Sequence, residues 1–74
     1  MVNASILSRR RVHKYMKEHN YEMNKTKISI ATTTNSCINE ILGDLIKIGW
    51  VIKNEYNIGV DQYILTNEGE EVII

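Results

Sequence analysis

Cys37 is the only cysteine in the chain, and the two histidines, His13 and His19, stand six residues apart with no further nitrogen or sulfur ligand close by. A structural zinc site needs four such ligands, so neither a metal nor an internal disulfide is expected. Cys37 reads as an inert, partly buried thiol; the alternative is a redox sensor activated by a nearby helix start. No nucleophile–histidine–acid set, glycine-rich phosphate loop or paired carboxylates with a cleft can be found. A chain of 74 residues also leaves little room for a pocket of about 300 Å³ or more. The sequence is therefore read as a non-enzyme with no cofactor. What remains for chemistry is a basic group, Arg9, Arg10, Arg11, Lys14, Lys25 and Lys27, and a run of short polar side chains from Thr32 to Ser36.

The formal net charge of zero conceals a polarity. Residues 1–39 carry seven bases against two acids, and residues 40–74 carry two bases against seven acids. Such asymmetry points to a polyanion at one end; the alternative is that the halves pair across the fold. The hydrophobic share of 43% and charged share of 24% exclude a disordered chain and fit one globular domain over residues 1–74. No apolar run approaches the roughly 18 residues of a membrane span, and no apolar stretch follows the arginines to make a signal peptide. Cytoplasmic residence is expected. Twelve isoleucines and eight asparagines without proline or phenylalanine suit an AT-rich genome, of phage, plasmid or archaeal-virus type.

These side chains need elements to position them. A first helix is predicted over 5–19, with Val12, Tyr15 and Met16 on its apolar side beside Ala4, Ser8 and His19. Arg10, His13, Lys14 and Lys17 gather on its solvated side; Ile6 fits neither face. An alternative start has Ser8 as N-cap, with Leu7 and Val12 as a hydrophobic staple. Asn20 is a fair C-terminal cap. Thr26 then caps a segment over 27–32 whose Ile28, Ile30 and Ala31 face inward; β-branched content makes helix and strand equally readable there. Thr32, Thr33, Thr34, Asn35 and Ser36 favour turns and caps because their side chains compete for backbone hydrogen bonds.

The clearest element is a helix over 35–48. Ile38, Ile41, Leu42, Leu45 and Ile46 recur at the spacing of an amphipathic stripe, and Gly49 closes it. Two strands follow, 50–53 and 62–65, around a loop with two asparagines and a glycine. Thr66 caps a last short helix with Glu68, Glu70 and Glu71 near its positive end, and Val72, Ile73 and Ile74 form an apolar tail. Trp50 and Tyr63 are expected as core residues, and His13 and His19 as solvated ones.

Two pieces of the chain resemble winged helix-turn-helix regulators, the MarR-like and PadR-like families among them. The stretch from Ser36 through Ile38, Leu42, Leu45, Gly49, Trp50 and Val51 is similar to their third helix and first wing strand. Tyr63-Ile64-Leu65-Thr66-Asn67-Glu68-Gly69 resembles their closing Tyr-x-Leu-Thr-x-x-Gly signature. Together they span residues 36–69, about half the chain. The resemblance implies an α+β winged helix-turn-helix of three helices, a two-stranded hairpin wing and a short C-terminal helix, and makes 27–32 the first helix of the pair.

It further implies double-stranded DNA as partner, bound as a homodimer through the first helix and the apolar tail, with the helix over 35–48 in the major groove. The periodicity independently turns Asn39, Glu40, Gly43, Asp44 and Lys47 outward. Asn39 suits a bidentate contact with adenine, and Glu40 an acceptor for cytosine. Thr33, Thr34, Asn35 and Ser36 suit phosphates beside a helix start. Gly43 costs roughly 1 kcal/mol against alanine, which reads either as close approach to a groove or as drift. Lys53 is the only base in the wing and Lys47 the only one on the outward face, so phosphate contacts fall to Arg9, Arg10, Arg11, Lys14, Lys25 and Lys27, and Tyr56 is left to stack or bury. Against DNA stand Glu40 and Asp44 on the outward face; the alternative is a protein-interaction module that binds a basic partner through that acidic helix and the neutral wing.

Overall fold

The structure, a computed structural model, describes residues 6–56 and 58–73. The predicted helix start at Ser5 with Ala4, the loop residue Asn57 and the terminal Ile74 lie outside the described residues. Those described form an α+β fold: α1 (Ile6–Glu18), β1 (Met23–Asn24), α2 (Lys25–Thr32), α3 (Ile38–Lys47), β2 (Val51–Asn54), β3 (Gln62–Leu65) and α4 (Asn67–Glu71). The antiparallel sheet has three strands in the order β1-β3-β2, rather than the two expected. β1 pairs Met23 with Tyr63 and Asn24 with Gln62, and so ties the hairpin to the start of α2. None of the helices among these residues is long and apolar enough to cross a membrane.

The core gathers Val12 and Met16 from α1, Met23 from β1, Ile28 from α2, Ile38, Ile41, Leu42 and Leu45 from α3, and Val51 and Leu65 from the hairpin. Tyr15, Trp50 and Tyr63 pack against it. α3 is thus anchored along the stripe its periodicity predicts, except that Ile46 faces solvent (38% exposed). It is shorter than 35–48, because residues 35–37 form a turn with Cys37, buried, as the residue preceding the first helical turn.

α2 is a helix, but its faces are not those expected. Ile28, Ser29 and Thr32 are buried, whereas Ile30 and Ala31 are exposed. Burying Ser29 and Thr32 is inexpensive, since their hydroxyls donate to the Thr26 and Ile28 carbonyls. The N-cap is Asn24 and not Thr26: its Oδ1 accepts from the Lys27 amide at 2.8 Å. At the other end Thr33 takes a left-handed conformation, φ 56°, unusual for a β-branched residue.

His13 departs furthest from expectation. It is buried, donates from Nε2 to the Gly69 carbonyl at 2.7 Å and stacks on Trp50 with ring centroids 5.0 Å apart. A carbonyl can only accept, so Nε2 carries the proton. Around the same point the Thr66 hydroxyl donates to the Gly49 carbonyl and accepts from the Gly69 amide. The Thr66 amide donates to the Trp50 carbonyl. Gly49, at φ 85°, makes the left-handed turn that stops α3. Gly69 lies against the Trp50 carbonyl, which a Cβ would overlap. Replacing Gly69 with alanine is expected to destabilise the fold by about 2–3 kcal/mol, read as a lowered urea midpoint.

Candidate nucleic-acid interface

α3 exposes Asn39, Glu40, Gly43 and Lys47, with Asp44 half-buried. These are the outward positions the periodicity assigns, and they follow from anchoring the opposite stripe in the core. At the start of α3 the Asn39 Oδ1 accepts from Lys25 Nζ at 2.8 Å, joining the first residue of α2 to the second of α3. Near its end Asp44 takes two donors from Arg9 of α1, Nε at 3.1 Å and Nη2 at 2.5 Å. Gly43 sits between them with open space where a side chain would project.

The turn before α3 offers fewer polar groups to a ligand than its sequence suggests. Thr34 is buried, and its hydroxyl is 2.9 Å from that of Thr32. It is therefore withdrawn from the phosphate-binding set and serves the turn. Thr33, Asn35 and Ser36 are exposed there.

The basic residues divide in the same way. Arg11 donates to the Thr32 carbonyl at 3.1 Å, which satisfies the end of α2. Lys27 donates to the Tyr21 hydroxyl and lies over that ring, 4.8 Å from its centroid; this hydrogen bond is the main reason its pKa is raised. Lys53 lies 3.4 Å from Glu55 and 4.0 Å from Asp61, and the hydrogen bond to Glu55 is the largest cause raising its pKa. Arg10, Lys14 and Lys47 are exposed and have no ion-pair partner among the described residues. Only one ion pair among those residues, Arg9–Asp44, joins the basic half of the sequence to the acidic one.

Tyr56 is exposed. Its hydroxyl donates to both Glu22 oxygens, at 2.8 and 2.6 Å, and Asn54 Nδ2 reaches the same carboxylate. The loop after β2 is so fastened to the segment that links α1 and β1. Glu22 was not picked out from the sequence, because its partners lie more than thirty positions away. The Tyr56 bond first, and the Asn54 bond second, hold the Glu22 carboxyl below its ordinary pKa. A depressed carboxyl stabilises the folded state above its unfolded pKa and loses that contribution as pH falls through the folded value.

Two open concavities of ≈ 370 and ≈ 380 Å³ exceed the room expected of so short a chain. The first lies between the start of α2 and the β2–β3 hairpin, at Asn24, Lys25, Thr26 and residues 59–61. The second, mostly apolar, runs between α1 and the end of α3, at Ile6, His13, Leu45, Ile48 and Trp50. Comparison of the chain with protein-family models, curated proteins and solved structures gave no match.

The Glu22 contact predicts a pH effect at the wing. Below about pH 4.3, the ordinary glutamate value, Glu22 protonates, and the chemical shift of its carboxyl carbon changes before global unfolding. In Tyr56→Phe this acid-side transition moves to higher pH, towards the ordinary glutamate value.

Proposed function

We propose that the chain is a winged helix-turn-helix regulator that binds double-stranded DNA, with α3 in the major groove and β2, β3 and their loop as the wing. The observation that carries the reading is α3 itself. One face is fixed in the core, while the other presents an amide, a carboxylate, a bare glycine position and a lysine to solvent. A helix of that kind, preceded by a short helix and a turn, has the form in which base edges are read. The acidity that weighs against DNA is reduced by Arg9, which neutralises Asp44 at contact distance. Arg10, Lys14 and Lys47 supply uncommitted positive charge, and the exposed Thr33, Asn35 and Ser36 flank the start of α3.

A domain of this type buries roughly 600–1,000 Å² on DNA, so two half-sites and a homodimer are part of the proposal. The apolar groove beside Ile6, Ile48 and Trp50, with Leu7 exposed next to it, offers a surface for the second copy. Val72 and Ile73, half-buried and exposed respectively, extend the apolar surface near the chain end.

In gel shifts on sites selected from random duplexes, binding is expected to fall steeply with salt. Asn39→Ala is expected to relax base preference, whereas Lys27→Ala, whose ammonium is held by Tyr21, leaves preference intact. Binding that ignores salt, or no binding to any duplex, would refute the reading. Gly43→Ala separates stability from recognition. The position has room for a methyl group, so the fold gains about 1 kcal/mol, while affinity for the selected site drops because the helix can no longer approach the groove as closely.

A further inference from the structure

Asn39 alone is ambiguous towards bases. Its amide has an acceptor, Oδ1, and a donor, Nδ2, and with both free it matches adenine, which offers N7 as acceptor and N6 as donor. In this fold one of the two lone pairs of Oδ1 is taken. Lys25 Nζ donates to it at 2.8 Å, from an exposed position one helix away. The ammonium has three donors and no acceptor, so two of its N–H groups still point elsewhere. Any base edge that meets this pair therefore meets the amide Nδ2–H and the lysine N–H groups together, with a positive charge at the acceptor end. An adenine N6 amino group there would have only the remaining Oδ1 lone pair to donate to, beside a cation that repels its hydrogens. Guanine presents N7 and O6, two acceptors, on the same edge.

Resting on the DNA-binding reading, we infer that Lys25 and Asn39 act as one donor pair that reads guanine in the major groove, with Lys25 converting an adenine-type amide into a guanine reader. Lys25 is the specificity-determining partner in this arrangement, and Asn39 the residue it orients. The two come from different helices, and their relative position is set by structural features: Asn24 caps α2 immediately before Lys25, and Ile38 is buried immediately before Asn39. The arrangement distinguishes Lys25 from a phosphate contact, which would contribute equally to every sequence.

The test is site selection from random duplex DNA by the wild-type chain and by Lys25→Met, which keeps an unbranched stem as far as Cε and removes the donors. The wild-type selection is expected to contain an invariant guanine in each half-site, preferred over adenine roughly tenfold. Replacing that guanine by 7-deazaguanine removes N7 and should cost a similar factor. In the Lys25→Met selection the same position should turn to adenine, with little loss of affinity for the new site. The exposure of Lys25 makes a folding failure improbable, and an unchanged thermal transition checks it. Adenine at that position for the wild type, or equal weakening on all sequences in Lys25→Met, overturns the inference and leaves DNA binding standing. If the wild type selects no duplex at all, DNA binding itself is overturned, and the inference with it.

Discussion

The tight approach of Gly69 to the Trp50 carbonyl decides how the second half of the chain closes on the first. Gly69 can lie there only because it has no side chain, and its amide and carbonyl are both used, by Thr66 and His13 respectively. Trp50 in turn follows the left-handed Gly49, whose carbonyl takes the Thr66 hydroxyl. Within a few ångströms the end of α3, the start of β2, the end of β3, the first turn of α4 and the middle of α1 are bound to one another. The Thr-x-x-Gly that closes the hairpin is thus a packing requirement: threonine provides the cap, and glycine the contact. α3 can present a fixed outer face because its C-terminal end is held at this point.

Its N-terminal end is held by a different means. The chain leaves α2 through Thr33 in the left-handed region, turns, and enters α3 at Cys37 without a side-chain cap. Order in this turn comes from inside. The Thr32 and Thr34 hydroxyls bond to each other in the buried space beneath it, and the Thr34 carbonyl accepts from the Cys37 amide. Arg11 reaches across from α1 to the last carbonyl of α2. Backbone strain at a non-glycine residue persists where its surroundings over-determine the conformation, and here three elements converge to do so. The consequence for the surface is that Asn39 stands at a set distance from Lys25.

How far the sequence disclosed this depends on the range of the interactions. α3 was legible because five apolar residues repeat at the helical period and a glycine ends them, all within a short stretch. The cap at Thr66 and the left-handed Gly49 are equally local. α2 was legible as a helix only through resemblance, and its faces were misread because isoleucine was weighed above serine and threonine. Ser29 and Thr32 go inside because helical carbonyls one turn earlier accept their protons, a compensation that hydropathy does not count. β1, two residues long, has no pattern to detect and exists because β3 offers it an edge. His13 and Glu22 were missed for the same reason: each owes its place to partners more than thirty positions away, and nothing beside them in sequence marks it. Of the surface set, the outward positions of α3 follow from periodicity, whereas the partners of Arg9, Arg11, Lys27 and Tyr56 do not.

The charge asymmetry along the sequence has a counterpart in three dimensions, though not as a general pairing of halves. Among the described residues one cross-half ion pair, Arg9–Asp44, joins α1 to α3, and it is partly exposed, where such pairs add at most about 1 kcal/mol to stability. Its larger effect is on potential. A carboxylate facing a phosphate backbone would repel it over a distance of about 8–10 Å at physiological salt, and a guanidinium in contact with that carboxylate turns the lone charge into a dipole. Lys25 acts on the neighbouring amide similarly, bringing a positive charge to a neutral group. The outer face of α3, whose own sequence supplies only Lys47, thus acquires further cations from α1 and α2. The acidic outer face of α3 and the basic N-terminal half meet, in this arrangement, at Arg9 and Lys25.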